Sequence, residues 1–482
     1  MYIYTSNEIK AIDHEADLQG LSVETLMENA GRSLFDAVKH FVNRNQNILI
    51  LSGRGNNGGD GIVLARYLKQ EGYNVNLVFP FGLPKSKSAK KHLKYYQSCG
   101  FHLDEIMYDQ KYDVIIDALL GIGARPPLKD DVKKIIKWIN EQKSFVISVD
   151  IPSGVQADVG ECSEAVSADL TLCLHGYKPS AFLLPSLNFY GEIRVLSIGL
   201  QQKSKWKVWT KEDVLNSWPQ YNLMSHKGTF GTGYIIAGSD EMPGSAILAA
   251  KGAMRAGIGK LVVGSSRFAV SIIAGQVPEA TYQIDGLQKV SNGIFPEKIK
   301  ACSIGPGIED QELLEQALEK LFDMNCPLLL DAGALQKRNY PKNRKDPIII
   351  TPHPGELSRM MDFPINQIQQ NRISIASQLA QKERVIVVLK GLYTVIAFPD
   401  GTGVINITGN PALAKGGSGD TLTGIMTAFL CTHRDVKSAV CNAVYIHGQC
   451  SDKWITKYSE RSMVASDIIE LLPTVMKEIT SR

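Results

Sequence analysis

The sequence predicts an α/β protein of two domains, each built on a largely parallel sheet. Three observations carry this. Short, continuously apolar runs alternate with amphipathic segments; the rhythm breaks once near residue 200 and restarts at 233; and 482 residues exceed the usual size of one domain. Strands that show no polar face are buried on both sides, and the intervening helices do the burying. With 44% hydrophobic and 21% charged residues, a packed core is available to both domains.

The chain starts "MYIYTSNEIKAIDHEAD", where Thr5 can cap a helix and Glu8 stands at capping-box spacing. No basic stretch precedes an apolar core there, so no secretory signal is expected. "NILILSG" (47–53), "NVNLVF" (74–79), "DVIIDALL" (113–120), "SFVISVD" (144–150) and "ADLTLCL" (168–174) read as strands. Amphipathic segments at 60–71, 86–98 and 130–141 separate them. The polar stretch 201–228 reads as a linker with one short helix and no buried strand. Strands resume at "GYIIAG" (233–238) and continue through "KLVVG", "CSIGPG", "PLLLDAGA", "PIIITP", "VIVVLKG" and "YTVIAF"; the end, from about 418 to 480, is helical. The expected domains are 1–215 and 216–482.

Composition excludes several function classes. Lys and Arg number 52 against 49 Asp and Glu, a net charge of +3, which gives no electrostatic reason to expect nucleic acid or an anionic membrane as partner. The apolar runs are too short to cross a bilayer. None of the eight cysteines forms a C-x-x-C pair, so reduced thiols and a cytoplasmic location are expected, with no zinc site or disulfide framework.

The stretch "GRGNNGGDG" contains G-x-G-x-x-G at Gly53, Gly55 and Gly58, between a strand and a helix expected to start near Gly61. Glycines there let a ligand approach the backbone, and the helix start offers unpaired N–H groups to an anion. A redox dinucleotide fingerprint also needs an acid at the end of the second strand, and "VFPFG" has none. Asp117 and Asp150 close the next strands, and with Asn57 and Ser153 they form an all-oxygen set suited to a hard cation. "GNNGGDG", "DALLGIG" and "SVDIPSG", in this order, resemble the NAD(P)H-hydrate epimerase family over about residues 1–215. The resemblance implies a Rossmann-like three-layer α/β/α fold acting on hydrated NADH or NADPH at the carbon that bears the hydroxyl. It places substrate on Asn56, Asn57, Gly58, Gly59 and Asp60, on the loop Gly121, Ile122, Gly123, Ala124, Arg125, Pro126 and Pro127, and on Asp150. It implies a potassium ion held by Asn57, Asp117 and Ser153, with Asp150 as proton-transfer group and Lys178 as its neighbour.

"NPALAKGGSGDTLTG" (410–424) is the strongest motif. Gly416, Gly417 and Gly419 lead into a helix, an anion cradle of consecutive N–H groups, and Asp420 stands at its lip, able to take a proton from a hydroxyl being phosphorylated. No P-loop sequence occurs in the chain. The motif resembles the ribokinase-like superfamily. "HKGTFGTGYIIAGS", "PGSAILAAKGAMRAGIG", "GPGI", "TPHPGE" and "LKGLYT" narrow the resemblance to nucleotide-dependent NAD(P)H-hydrate dehydratases, over about 225–480. This implies nucleotide on Lys390, Gly391, Leu392, Tyr393 and Thr394 and on the glycines of the cradle, and substrate near Ser245, Ala246, Gly307, His353 and Asp420. Ser245 stands where the family usually has alanine, and "DAGAL" (331–335) where "DADAL" is common.

Both halves together resemble bifunctional NAD(P)H-hydrate repair enzymes: the first would interconvert the R and S hydrates, and the second would dehydrate the S hydrate to NAD(P)H at the expense of ADP, giving AMP and phosphate. ADP (or ATP), with Mg2+, is the expected co-substrate of the second half. The expected partners are small molecules, and a homo-oligomer is expected. The alternative is a ribokinase-like small-molecule kinase that releases a phosphate ester, with a non-catalytic first domain that binds ligand or acts as a scaffold.

Overall fold

The computed structural model describes residues 1–221 and 223–480; Asn222, Ser481 and Arg482, inside the expected second domain, lie outside the described residues. The chain divides into Met1–Ser204 with Gln369–Asn371, and Lys205–Ile368 with Arg372–Arg482. The division falls upstream of 215/216 because Trp206–Val208 is a strand, paired in parallel with Gly403–Asn406. Val208 is buried, which corrects the expectation that the linker holds no buried strand. The polar neighbours hide this strand, since only one of its three residues is buried.

In the first unit the strand order is Val75–Val78, Ile48–Ser52, Val114–Ala118, Phe145–Val149, Leu170–Leu174, Glu192–Leu196, all parallel. Period-two alternation sends Ile48 and Ile50 to one core and Leu49 and Leu51 to the other. The chain leaves Ile48–Ser52 toward one neighbour and later returns on its other side. The crevice between Ile48–Ser52 and Val114–Ala118 is therefore a topological switch point, where sheets of this kind bind ligands. The expected capping box is formed: Glu8 N donates to the Thr5 hydroxyl and Thr5 N to the Glu8 carboxylate.

The helix after the glycine-rich loop spans Asn56–Gln70 and so starts at Asn56, not near Gly61. Glycine is a poor helix former, but tertiary contact overrides that here. A Cβ on Gly58 would stand 2.0 Å from the Gly53 carbonyl oxygen, and one on Gly59 would stand 2.4 Å from Met27 Sδ. The first turn can lie on the strand end only without side chains.

In the second unit the strands run Trp206–Val208, Gly403–Asn406, Thr394–Ala397, Ile386–Leu389, Ile348–Ile350, Leu328–Leu330, Ala301–Ile304, Thr232–Ile236, Lys260–Ser265, Thr281–Ile284. Thr394–Ala397 is antiparallel to both neighbours, because the turn "KGLY" is too short for a parallel crossover. Ile235, Val263 and Leu329 face one core; Tyr234, Ile236 and Leu330 face the other. The helix Ser418–Thr432 lies directly on Pro243–Arg255. A Cβ on Gly424 would meet the Ala249 carbonyl oxygen at 1.9 Å, so the two backbones touch there. Among the described residues no helix is long and apolar enough to cross a membrane. All eight cysteines are free, six of them buried.

Candidate active sites

The parallel register of the first sheet pairs Ser52 with Ala118 and Asp117 with Ser148, which brings four loops to one edge. They surround a cavity of about 640 Å³, within the range for a cofactor-sized ligand. Of the residues singled out in the sequence, Asn56, Asn57, Asp60, Gly121, Ile122, Gly123, Ala124, Asp150 and Lys178 line it. Gly58 and Gly59 do not line it; their Cα atoms face protein, against Gly53 and Met27. Arg125 lines a smaller adjoining cavity with Lys10 and Asp158, while Pro126 and Pro127 line neither and are exposed.

Asp150 is held in a left-handed backbone conformation, φ +69°, uncommon for a residue with a side chain and typical of functional positions. Its Oδ1 accepts hydrogen bonds from Lys178 Nζ and, at 3.0 Å, from Leu174 N. Lys178 is buried, and its remaining donors go to the carbonyls of Leu174 (2.9 Å) and Gly176 (3.2 Å). With three donors committed, Lys178 is the fixed countercharge of Asp150. Two more carboxyls line the cavity. Burial, then the charges of Asp150 and Asp13, push Asp60 well above the usual carboxylate range. Burial, then Asp150, raise Asp13 to about 6. Asp13, inside the amphipathic "IKAIDHEAD" helix, carries no motif; only the folded chain brings it here.

Behind the cavity, Asp117 is wholly buried. Its oxygens accept from Ser153 Oγ (2.5 Å), Ser153 N (2.8 Å), Ser148 Oγ (2.9 Å) and Leu119 N (3.2 Å). Burial pushes its carboxyl up against those hydrogen bonds. Ser153 Oγ accepts from Leu120 N, and the Leu120 carbonyl accepts from Asn57 Nδ2 at 2.7 Å. Asn57 Oδ1 is buried with no hydrogen-bond partner among the described residues. Asn57, Asp117 and Ser153 are thus one connected group of oxygens, and Asn57 Oδ1 is the acceptor that the protein leaves uncommitted.

In the second unit, Gly417 caps the helix Ser418–Thr432 with φ +86°, and Gly416 has open space before it. Gly419 lies beside Lys390 Nζ and Asp331. Asp420 is hydrogen-bonded to Ser245; burial leads in raising its carboxyl, with Asp331 adding to this and Ser245 and Lys390 opposing. A base with raised proton affinity is a stronger base. Gly307 lies against Ser245. Ala246 is wholly buried, its Cβ beside Gly238. His353 caps the helix Pro354–Met361: its Nδ1 accepts from Gly355 N (3.0 Å) and Glu356 N (3.2 Å), and its Nε2 stands 3.5 Å from Glu356 Oε1 on a half-exposed ring.

Lys390 ties these pieces together. Its Nζ donates to Asp331 Oδ1 at 2.8 Å and stands 3.9 Å from Glu356. Asp331 also accepts from Thr351 (2.7 Å) and Thr423 (2.8 Å). Burial would raise the Asp331 carboxyl, but Lys390 and these hydrogen bonds hold it below its ordinary value. Gly391, Leu392, Tyr393 and Thr394 follow in a turn with Gly391 at φ +137° and Tyr393 at φ +52°. The buried Arg372 guanidinium shapes that turn, its Nη2 donating to the carbonyls of Leu389 (2.9 Å), Lys390 (3.3 Å) and Tyr393 (3.5 Å). His447 Nε2, 3.0 Å from the Ser418 carbonyl, donates to it and anchors the first turn of the cradle helix. Asp331 lies inside a motif read from the sequence, but Arg372 and His447 do not, and no local pattern marks them.

The geometry defines a two-site α/β enzyme: a carboxylate pocket at a switch point, and a glycine cradle with an acid at its lip. Comparisons make this specific. Residues 234–474 match the NAD(P)H-hydrate dehydratase family, and residues 23–180 the YjeF-related protein N-terminus family. The bifunctional NAD(P)H-hydrate repair enzyme Nnr of Thermofilum pendens is 31% identical over 99% of this chain and 97% of its own length. The crystal structure of an ADP/ATP-dependent NAD(P)H-hydrate dehydratase from Bacillus subtilis, co-crystallised with ATP and Mg2+, is 48% identical; the match covers 57% of this chain and 98% of that one, with a TM-score of 0.56. A ribokinase-like superfamily protein from Enterococcus faecalis matches 58% of this chain and 99% of its own at 24% identity and a TM-score of 0.51, a likeness of fold. The chain belongs to the family of bifunctional NAD(P)H-hydrate repair enzymes.

Proposed function

We propose that the carboxylate pocket epimerises the hydrates of NADH and NADPH and that the glycine cradle dehydrates the S hydrate with ADP. The chain is a bifunctional NAD(P)H-hydrate repair enzyme, and its full-length relatives favour this over a kinase with a non-catalytic first domain. The observation that carries the assignment of residues is the Asp150–Lys178 ion pair facing Asp60 and Asp13 across one cavity.

The reacting carbon of the hydrate bears a hydroxyl and adjoins the ring nitrogen. In the pocket, the nitrogen's electron pair expels the hydroxyl, which leaves as water with a proton from Asp60 or Asp13. The resulting iminium carbon is planar. Water adds to its other face and gives a proton to Asp150, whose negative charge also stabilises the cation. One proton is taken from the enzyme and one is returned to it, and exchange with solvent restores the starting protonation of the carboxyls, so the step is a net isomerisation. Lys178 pairs with Asp150 and holds it oriented.

In the cradle, Asp420 takes the hydroxyl proton as the terminal phosphoryl of ADP transfers to that oxygen, leaving AMP. The ring nitrogen then expels phosphate, and loss of a proton from the neighbouring carbon restores the dihydropyridine. Lys390 and the N–H groups of Gly416 to Gly419 carry the phosphate charge. The half-exposed His353 ring is a substrate contact at the rim of this site. Supporting a potassium ion on Asn57, Asp117 and Ser153 are an all-oxygen donor set and an uncommitted buried acceptor, Asn57 Oδ1. Such an ion would supply fixed positive charge beside the substrate loops. Mg2+ would ride mainly on the nucleotide phosphates, as is usual for that ion.

The test follows both products. Separated R and S hydrates incubated with ADP should yield reduced dinucleotide, AMP and phosphate, and the R hydrate should be consumed only through S. Asp150→Asn should slow R-to-S conversion about 10²–10⁴-fold and leave dehydration of S intact. A stable phosphate ester, or full epimerisation by that variant, would overturn the assignment.

A further inference from the structure

His175 belongs to no motif, yet it lines the cavity beside Asp150 and Lys178. It follows Leu174, whose N–H and carbonyl hold Asp150 and Lys178 respectively. Its backbone is left-handed, φ +67°, so two such residues, Asp150 and His175, stand at neighbouring strand ends around one pocket. Its ring is stacked on Tyr4, centroids 4.6 Å apart, and only 1% of the residue is exposed.

The hydrogen bonds around it fix its tautomer. The Gln202 Nε2 amide donates to the His175 carbonyl at 2.9 Å; a carbonyl can only accept, so this end of Gln202 is the NH2 group. The Gln202 Oε1 accepts from Tyr4 O–H at 3.4 Å, which agrees. The same Nε2 lies 3.1 Å from His175 Nδ1, so Nδ1 accepts and the ring proton resides on Nε2. That Nε2–H is buried and has no partner among the described residues, a costly arrangement unless something else receives it. Burial, reinforced by Lys178, lowers the imidazole to about 4, so it stays neutral at physiological pH.

We infer that His175 is a substrate-contacting residue of the epimerase pocket, whose Nε2–H donates a hydrogen bond to an uncharged oxygen of the hydrated nicotinamide ring. This rests on the epimerase reading of the pocket. A neutral imidazole N–H can polarise or position such an oxygen without competing with the carboxyls as a proton source, and it adds no charge that would repel an iminium intermediate. The acceptor is either the carboxamide carbonyl or the reacting hydroxyl.

His175→Phe keeps a flat ring on Tyr4 and removes the donor. Its kcat/KM for epimerisation should fall about ten-fold, the worth of one hydrogen bond. A rise in KM identifies the carboxamide as acceptor; a fall in kcat identifies the hydroxyl. Unchanged kcat and KM in a folded variant, with the parent active, overturns the inference and leaves the epimerase reading standing; a parent that never epimerises overturns that reading itself. The second measurement needs no variant. Histidine ¹⁵N spectra of the full chain at pH 7 should show His175 as the neutral tautomer protonated at Nε2. Protonation at Nδ1, or an imidazolium, overturns the inference.

Discussion

Replacing Asp331 by alanine removes the acceptor of three hydrogen bonds and the partner of a lysine that is mostly out of water. Asp331 is 2% exposed and the Lys390 side chain 21%. After the change, Glu356 at 3.9 Å is the nearest remaining countercharge in this network, Thr423 loses its acceptor, and Thr351 keeps only the Leu330 carbonyl at 3.2 Å. Breaking a buried pair by removing one member costs about 3–5 kcal/mol, and at about 2–4 °C per kcal/mol the melting temperature should fall by about 6–20 °C. The residual exposure of Lys390 places the expectation in the lower half of that range. The pH dependence gives a second check. The fold lowers the Asp331 carboxyl, so its contribution is present above the unfolded value of about 3.9 and is lost as pH falls through the folded value. Burial would lower Lys390, but Asp331 and Glu356 raise it, so its contribution is full below about 10.4 and is lost as pH rises through its folded value. Parent and variant should therefore differ most between about pH 4 and 10 and converge in acid. Differential scanning calorimetry of the full chain measures this; in the parent, the second-domain transition is the one that moves with ADP. A shift below about 2 °C, or a difference undiminished in acid, refutes the reasoning.

Asp420→Asn should bind ADP nearly as the parent does yet lose about 10²–10⁴-fold in dehydration, with epimerisation kept; nucleotide titration beside both assays checks the separation. Asn57→Ala should slow epimerisation and raise the potassium concentration needed for half-maximal rate, read from a potassium titration; equal titration curves would remove Asn57 from the ion site. Arg372→Lys keeps the charge but loses the planar fork that holds the 390–394 turn. Its KM for ADP should rise about ten-fold while kcat for epimerisation stays put.

The central strands were legible because residues such as Ile48–Leu51 and Ile348–Ile350 are apolar without interruption, the pattern that burial on both faces demands. The strands Trp206–Val208, Glu192–Leu196 and Thr281–Ile284 were not, because residues with a solvent face carry polar side chains and no such run. The start of the Asn56 helix was hidden by the low helix propensity of Gly58 and Gly59, a local signal that packing on Gly53 and Met27 outweighs. At the sites, residues inside glycine-marked turns were readable, since the turn constrains the sequence. Asp13, His175, Arg372 and His447 reach their sites from helices and strand ends whose own patterns are ordinary, so nothing local distinguishes them.

The contact of helix Ser418–Thr432 with Pro243–Arg255 at Gly424 bears on how the protein tolerates change. Where two helices meet through side chains, exchanging one aliphatic group for another shifts their spacing by fractions of an ångström. Here main chain rests on main chain at Gly424 and Ala249, so the spacing at that point does not depend on which apolar residues fill the surrounding core. Asp420 lies one turn away on the same helix and inherits that independence. Sequence drift or deliberate redesign of the neighbouring interior can therefore proceed with the Asp420 carboxyl kept in place, while a single methyl group at position 424 would lever it out of register.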